Sequence, residues 1–253
     1  MSGMSGTIEI RYRKIDKFFH RRHLLDGLSL SLEGGAAILL SGENGSGKTT
    51  LLRILSGLER PDHCTVDFGP GGIPWSKCRR QLQRRVMYLH QQPYLFDGDV
   101  VHNLALALPR TMPKARRDRK IRQALEWAQL DGIAGARGKT LSSGEKQRVA
   151  LARAWLRQSK ILLLDEPIAN MDREARTRTV ALLKRLKNVG VALMIASHNH
   201  EVFNELVDYR LLLDRGKLIH TKMVPLPANV TPLAKENAKK KNRGGQGTGN
   251  AWR

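Results

Sequence analysis

The sequence predicts an α/β fold, a mainly parallel sheet with flanking helices, joined by an antiparallel β subdomain and a small inserted helical lobe. Three observations carry that prediction. From Lys160 onward, apolar strand-like runs alternate with amphipathic segments, the pattern that lays crossover helices against parallel strands. Residues 36–40 and 161–164 are short and almost wholly apolar, as strands covered on both faces are. Residues 8–13 and 28–32 instead alternate apolar with polar side chains, as half-exposed antiparallel strands do.

Taken in chain order, the strand at 36–40 leads into a glycine-rich loop at 42–49, and a helix is expected from Lys48. Leu51, Leu52, Ile54, Leu55 and Leu58 fall on one face of that helix, and Gly57 lies near its end. Residues 61–75 are rich in Pro and Gly and read as loops or short edge strands, after which 85–90 resumes strand character. Between Val100 and Gly138, Ile121, Ala124, Leu125 and Ala128 recur at helical spacing opposite Arg and Lys. Pro109 and Pro113 break this stretch, and Gly132, Gly135 and Gly138 close it, which marks the inserted lobe. Ser142 followed by Glu145 fits a capping box, so a helix should start there, with Val149, Ala152 and Leu156 on one face. The remaining order is strand 161–165, helix 173–187, strand 191–197, helix 200–206 and strand 209–214.

Length and composition bound the possibilities. A chain of 253 residues, 41% hydrophobic, can form one large α/β domain with a substantial core. No stretch approaches the roughly 20 uninterrupted apolar residues of a spanning helix. The first residues lack an apolar segment of signal-peptide type, so a cytoplasmic location is expected. Cys64 and Cys78 have no second Cys or His at zinc-ligand spacing and read as ordinary thiols. The net charge of +21 is spread over Arg79–Arg85, Lys114–Arg122 and residues 235–253. That last stretch is too polar to offset its ordering entropy and is expected to be a disordered basic tail. Such charge favours an anionic partner, nucleic acid or a membrane surface, without choosing between them.

Two stretches carry chemistry. Gly42-Glu43-Asn44-Gly45-Ser46-Gly47-Lys48-Thr49 has every position of a phosphate-cradling loop, between a strand and a helix. Its glycines let backbone N–H groups approach phosphate oxygens, Lys48 can reach the β- and γ-phosphates, and the Thr49 hydroxyl can ligate Mg²⁺. A nucleoside triphosphate with Mg²⁺ is the expected ligand; a plain glycine-rich turn is the alternative. Asp165 and Glu166 end the apolar run from Ile161, at the sheet edge where ligands bind in a doubly wound fold. Asp165 is placed to hold the metal and Glu166 to polarise water as a general base, against the plainer reading of an acidic turn capping a helix. The Ser142-Ser143-Gly144 helix start also leaves N–H groups and a hydroxyl for an anion.

With these residues in view, the chain resembles the nucleotide-binding subunit of ATP-binding cassette (ABC) transporters, specifically the small bacterial import type, from about Ile8 to Leu218. Gly42–Thr49 matches the Walker A loop, with Thr50 following; Ile161–Glu166 matches Walker B with its catalytic glutamate. Leu141–Glu145 matches the signature, usually Leu-Ser-Gly-Gly-Gln, with Ser143 and Glu145 as departures. Gln91 looks like the Q-loop glutamine that contacts metal and attacking water, Met171-Asp172 sits at the D-loop, and His198 sits at the switch histidine. Phe19 aligns with the aromatic that stacks on adenine, although Phe18 is adjacent.

The resemblance implies a P-loop NTPase core, ATP and Mg²⁺ as ligands, and ATP hydrolysis coupled to transport. It implies a homodimer in which Ser142, Ser143, Gly144 and Glu145 of one copy close over ATP held by the other. It also implies separate membrane permease subunits docking around Tyr94–Asn103, a substrate-binding protein, and a peripheral position on the inner face of the cell membrane. The expected organisation is one ATPase domain over 1–234, with core and β subdomain at about 8–91 and 160–222, a helical lobe at about 92–158, and the tail beyond. The Pro93–Gly98 stretch resembles importers of tungstate and related oxyanions. A soluble ABC ATPase acting on nucleic acid or the ribosome is the alternative, and a hydrolysis-deficient regulator is disfavoured by Glu166 and His198.

Overall fold

In the computed structural model, which describes residues 9–69 and 71–223, the first two strands pair as one long hairpin. These strands, β1 (Glu9–Phe19) and β2 (Arg22–Glu33), extend well beyond the two short runs that alternation predicts. Irregularities in their register explain the difference. Lys14 and Gly27 have positive φ, 51° and 61°, and each break in the ladder resets which side chains face inward. The hairpin joins β4 (His63–Asp67) and the two-residue β5 (Ile73–Pro74) in an antiparallel sheet of order β2-β1-β4-β5.

A second, six-stranded sheet holds β3 (Ala37–Ser41), β6 (Val86–Leu89), β7 (Ile161–Asp165), β8 (Ala192–Ala196), β9 (Tyr209–Asp214) and β10 (Lys217–Met223). Its order is β10-β9-β3-β8-β7-β6, parallel except for the β9–β10 hairpin. That hairpin was not expected from sequence. Its turn residues Arg215 and Gly216 both have positive φ, the handedness that tight hairpins require.

The apolar runs of β3 and β7 have a plain cause. Ile38, Leu40, Ile161 and Leu163 face one core, shared with the antiparallel sheet, helix α1 (Lys48–Leu55) and helix α2 (Trp75–Arg85). Leu39, Leu162 and Leu164 face the other. That second core is filled by α3 (Val100–Ala105), α4 (Lys114–Ala128), α5 (Ser143–Leu156) and α6 (Arg173–Asn188). Each such leucine contributes about 1.5–3 kcal/mol on leaving water, and both faces of the sheet draw on it.

Three expectations need correction. Residues 75–85 form α2, which the sequence reading, loop or edge strand over 61–75 and strand character from 85, left without an element. Its apolar contribution is only Trp75, Cys78 and Leu82, all buried, with the Trp75 indole N–H donating to the Ile54 carbonyl at 2.9 Å. The helix predicted over 200–206 is a single 3₁₀ turn, Glu201–Phe203. Phe203 and Leu206 are both buried and three residues apart, which a threefold turn aligns on one side. Leu58, expected on the α1 face, lies beyond the helix and is exposed. The tail at 235–253 lies outside the described residues.

Candidate functional site

Three neighbouring strands bring the chemistry together. In register, Leu40 of β3 and Asp165 of β7 both pair with Ala196 of β8, so the three C-terminal ends are level. The loop from Gly42, the Glu166 turn and Ser197–His198 therefore emerge side by side.

The loop folds over its own lysine. Lys48 Nζ donates to the carbonyls of Gly42 at 2.8 Å and Glu43 at 3.0 Å, and lies 3.4 Å from His198 Nε2. Burial lowers the Lys48 pKa, while the charges of Glu166 and Asp165 oppose that shift. Gly42 and Gly47 have φ of 147° and 107°, and a Cβ at Gly42 would sit 2.5 Å from the Leu213 carbonyl oxygen. No side chain caps α1 at Gly47, and its first turn carries no acidic residue, so its N-terminal N–H groups suit an anion. The buried Ser46 hydroxyl has no partner among the described residues. Glu43, Asn44 and Gly45 are exposed at the loop's outer edge, and Thr50 is half-buried on α1. These features fit the phosphate groups of a nucleotide.

Thr49 and Asp165 form a set of hard oxygen donors that fits Mg²⁺. Thr49 Oγ1 donates to Asp165 Oδ2 at 2.6 Å, and Tyr88 Oη donates to the same oxygen at 3.0 Å. Asp165 is buried. Glu166 follows in a left-handed conformation, φ 45°, which is uncommon for a residue with a Cβ and typical of strained functional positions. Its N–H donates to the Ala196 carbonyl at 2.8 Å. Its carboxylate accepts from the Ser197 hydroxyl at 3.1 Å and from the His198 N–H at 3.0 Å, with His198 Nε2 3.7 Å away.

The other expected residues are placed differently. Gln91, two residues past β6, is exposed and makes no hydrogen bond to Thr49 or Asp165 among the described residues. Phe19 ends β1, half exposed, with Lys17 Nζ 5.0 Å from its ring centroid. Phe18 is equally open but stacks on His23, centroids 4.0 Å apart, so neither ring is core. Ser142, Ser143, Gly144 and Glu145 share no hydrogen bond with Lys48, Asp165, Glu166 or His198. They begin α5 instead. Ser143 Oγ donates to the Asn170 carbonyl at 2.9 Å, and a Cβ on Gly144 would meet the Ala175 Cβ at 2.7 Å.

Three contributors escaped the sequence reading. Tyr88 and Ser197 reach Asp165 and Glu166 across strands, and Arg22 donates to the Gly45 carbonyl at 3.1 Å, tying the β1–β2 turn to the loop. The strand character of residues 85–90 was the only signal for Tyr88; Ser197 and Arg22 gave none.

The capping box makes a prediction. Glu145 Oε2 accepts from the Ser142 N–H and hydroxyl, both at 2.8 Å, while the Glu145 N–H donates to Ser142 Oγ at 3.3 Å. The Ser142 N–H, foremost, holds the Glu145 carboxyl below its ordinary range. A lowered folded pKa means the stabilisation is complete above the unfolded carboxylate pKa and is lost as pH falls through the folded one. Glu145→Ala should cost about 1 kcal/mol at neutral pH. In melts across a pH series, the gap from the parent should narrow on acidification; a gap independent of pH would contradict the box's role.

Comparison with known proteins adds the following. The family model described as ABC transporter matches residues 25–169. The sulfate/thiosulfate import ATP-binding protein CysA of Caulobacter vibrioides is 35% identical over 216 residues, covering 83% of this chain and 63% of that protein. The chain thus spans less than two thirds of that relative's length. The aliphatic sulfonates import ATP-binding protein SsuB of Mycobacterium avium is 33% identical over 230 residues, 90% of this chain and 86% of that one. Among solved structures, cbiO1 from Clostridium perfringens, part of the ABC transporter complex cbiONQ, has the same fold. The TM-score is 0.74 at 24% identity, over 84% of this chain and 87% of that one.

Proposed function

The chain belongs to the ABC transporter family, and from that premise we propose that it is the ATP-binding and ATP-hydrolysing subunit of an importer whose membrane-spanning parts are separate chains. The observation that carries this reading is the meeting of Lys48, Thr49, Asp165, Glu166 and His198 at the level ends of β3, β7 and β8. Each has a task there. Lys48 exchanges the Gly42 and Glu43 carbonyls for phosphate oxygens, and the uncapped α1 N-terminus adds N–H donors. Thr49 and Asp165 would hold Mg²⁺, which when bound neutralises phosphate charge. Glu166, oriented by Ser197 and the His198 N–H, takes the proton of the attacking water, while His198 faces the γ-phosphate. Phe19 would stack on adenine, and Gln91 would enter the site only when its segment moves inward.

In this reading two copies assemble head to tail, and Ser142–Glu145 of one complete the ATP site of the other. The core and β subdomain (8–91 and 160–222) and the lobe (92–158) act as two parts of one domain. A cleft of about 830 Å³ lined by Gln91, Tyr94, Phe96, Lys139, Ser143 and Asn170 would receive a helix of the membrane partner. Tyr94 is 72% exposed at its rim, and Arg153 donates to the Tyr94 carbonyl at 2.9 Å, fixing that edge. No helix among the described residues is long and apolar enough to cross a membrane, which fits a subunit held peripherally on the inner face. The named relatives import sulfate, thiosulfate and aliphatic sulfonates, which supports an oxyanion as cargo delivered by a binding protein, with tungstate as the narrower possibility.

The test is phosphate release from ATP by the purified chain, alone and reconstituted in vesicles with candidate permeases. Hydrolysis stimulated by permease vesicles is the expected result. Absence of any hydrolysis would sink the enzymatic reading. Stimulation by RNA or DNA but not by permeases would favour the soluble alternative, to which the net charge of +21 is suited.

A further inference from the structure

Register places an unassigned phenol at the metal-ligand carboxylate. Tyr88 of β6 pairs with Leu163 of the parallel neighbour β7, and Leu163 and Asp165, two residues apart, project from the same face. A long side chain at position 88 therefore lies diagonal to Asp165, within reach of its carboxylate. The Tyr88 hydroxyl closes that distance, donating to Asp165 Oδ2 at 3.0 Å.

Two hydroxyls from different elements, Thr49 on α1 and Tyr88 on β6, converge on the same carboxylate oxygen. Oδ1 receives no side-chain donor among the described residues. One donor would leave the carboxylate free to swing about its last torsion. Two donors on one oxygen fix which oxygen is occupied and which is left over. Thr49 must also serve a cation with its hydroxyl oxygen, whereas Tyr88 has no competing task. The Tyr88 ring also meets the His90 ring edge-on, centroids 6.2 Å apart, which braces it from the segment that continues into Gln91.

We propose that Tyr88 is a positioning residue for the divalent cation, locking the Asp165 carboxylate so that Oδ1 is the oxygen presented. The proposal rests on the ATP reading above. It acts through Asp165 rather than on nucleotide, and that gives it a signature distinct from a role in folding.

The experiment uses the full chain, with Mn²⁺ as probe, followed by electron paramagnetic resonance in the presence of a slowly hydrolysed ATP analogue. Analogue binding is measured separately in EDTA. Tyr88→Phe, which keeps the ring and deletes the donor, should weaken Mn²⁺ binding about 10-fold, in the range seen when partners of metal ligands are removed. Its analogue affinity in EDTA should stay within about twofold of the parent on the same argument. Tyr88→Met, also without a donor, should show the same split and serves if the phenylalanine variant is poorly folded. Mn²⁺ affinity unchanged in these variants would overturn the proposal. So would an equal loss of metal-free analogue binding, since the residue would then be acting on the loop or fold. Failure of the parent protein itself to bind the analogue with Mn²⁺ present would overturn the ATP reading instead, which keeps the two failures apart.

Discussion

Glu166→Gln is expected to lower steady-state ATP turnover by at least about 100-fold while leaving ATP binding intact. The amide matches the carboxylate in size and keeps an oxygen to accept from the Ser197 hydroxyl or the His198 N–H, so the turn at φ 45° is preserved. What it cannot do is accept a proton at neutral pH. Binding and chemistry should therefore separate: filter binding would retain the nucleotide, and phosphate release would fall to the background of positioning and charge stabilisation. In the head-to-tail scheme the variant should also remain dimeric in ATP by sedimentation, because the ligand bridging two copies is no longer removed. Normal phosphate release from this variant would strip Glu166 of its assigned task.

Lys48→Ala should cost about 3 kcal/mol of phosphate stabilisation, roughly a hundredfold or more in turnover or nucleotide affinity. The substitution also leaves the Gly42 and Glu43 carbonyls without the donor they now share, so loop damage must be told apart from lost charge. Thermal melting with and without ATP does that. A ligand at 100 times its Kd stabilises by about 2.7 kcal/mol, which the parent should show as a raised Tm and the variant should lack. A variant whose Tm without ligand matches the parent, yet fails to respond to ATP, isolates the amino group's contribution. An equal response to ATP in both proteins would remove Lys48 from the phosphate site.

What could be read from the chain follows from how far each feature reaches. The 42–49 loop is local: its glycines, lysine and threonine are adjacent in sequence, and the structure places their contacts within the same turn and its neighbouring strands. β3 and β7 were legible because residues such as Leu39 and Leu40 feed opposite cores, which leaves no polar position to blur the run. The α2 helix was missed because three apolar residues among eleven give a weak period, and the Pro- and Gly-rich stretch before it dominated the reading. The long hairpin was missed because bulges break alternation, a change that depends on the partner strand. Tyr88 and Ser197 depend on which strands are neighbours and in what register, information that no single segment carries. Gln91 and the Ser142–Glu145 group were picked out by motif, yet in one copy of the chain they hydrogen-bond elsewhere or stand open to solvent.

The adjacency of β3, β8 and β7 bears on how such a machine could be controlled. Rungs of a ladder sit about 4.8 Å apart and move as a unit. Groups mounted on three consecutive rungs inherit that stiffness, so their mutual spacing is a fixture rather than a variable. A signal from outside has little purchase on it. Groups lying outside these strands, such as the exposed Gln91 two residues past β6, do not share that constraint, and evolution could retune the pace of the cycle there while the anvil itself stays untouched.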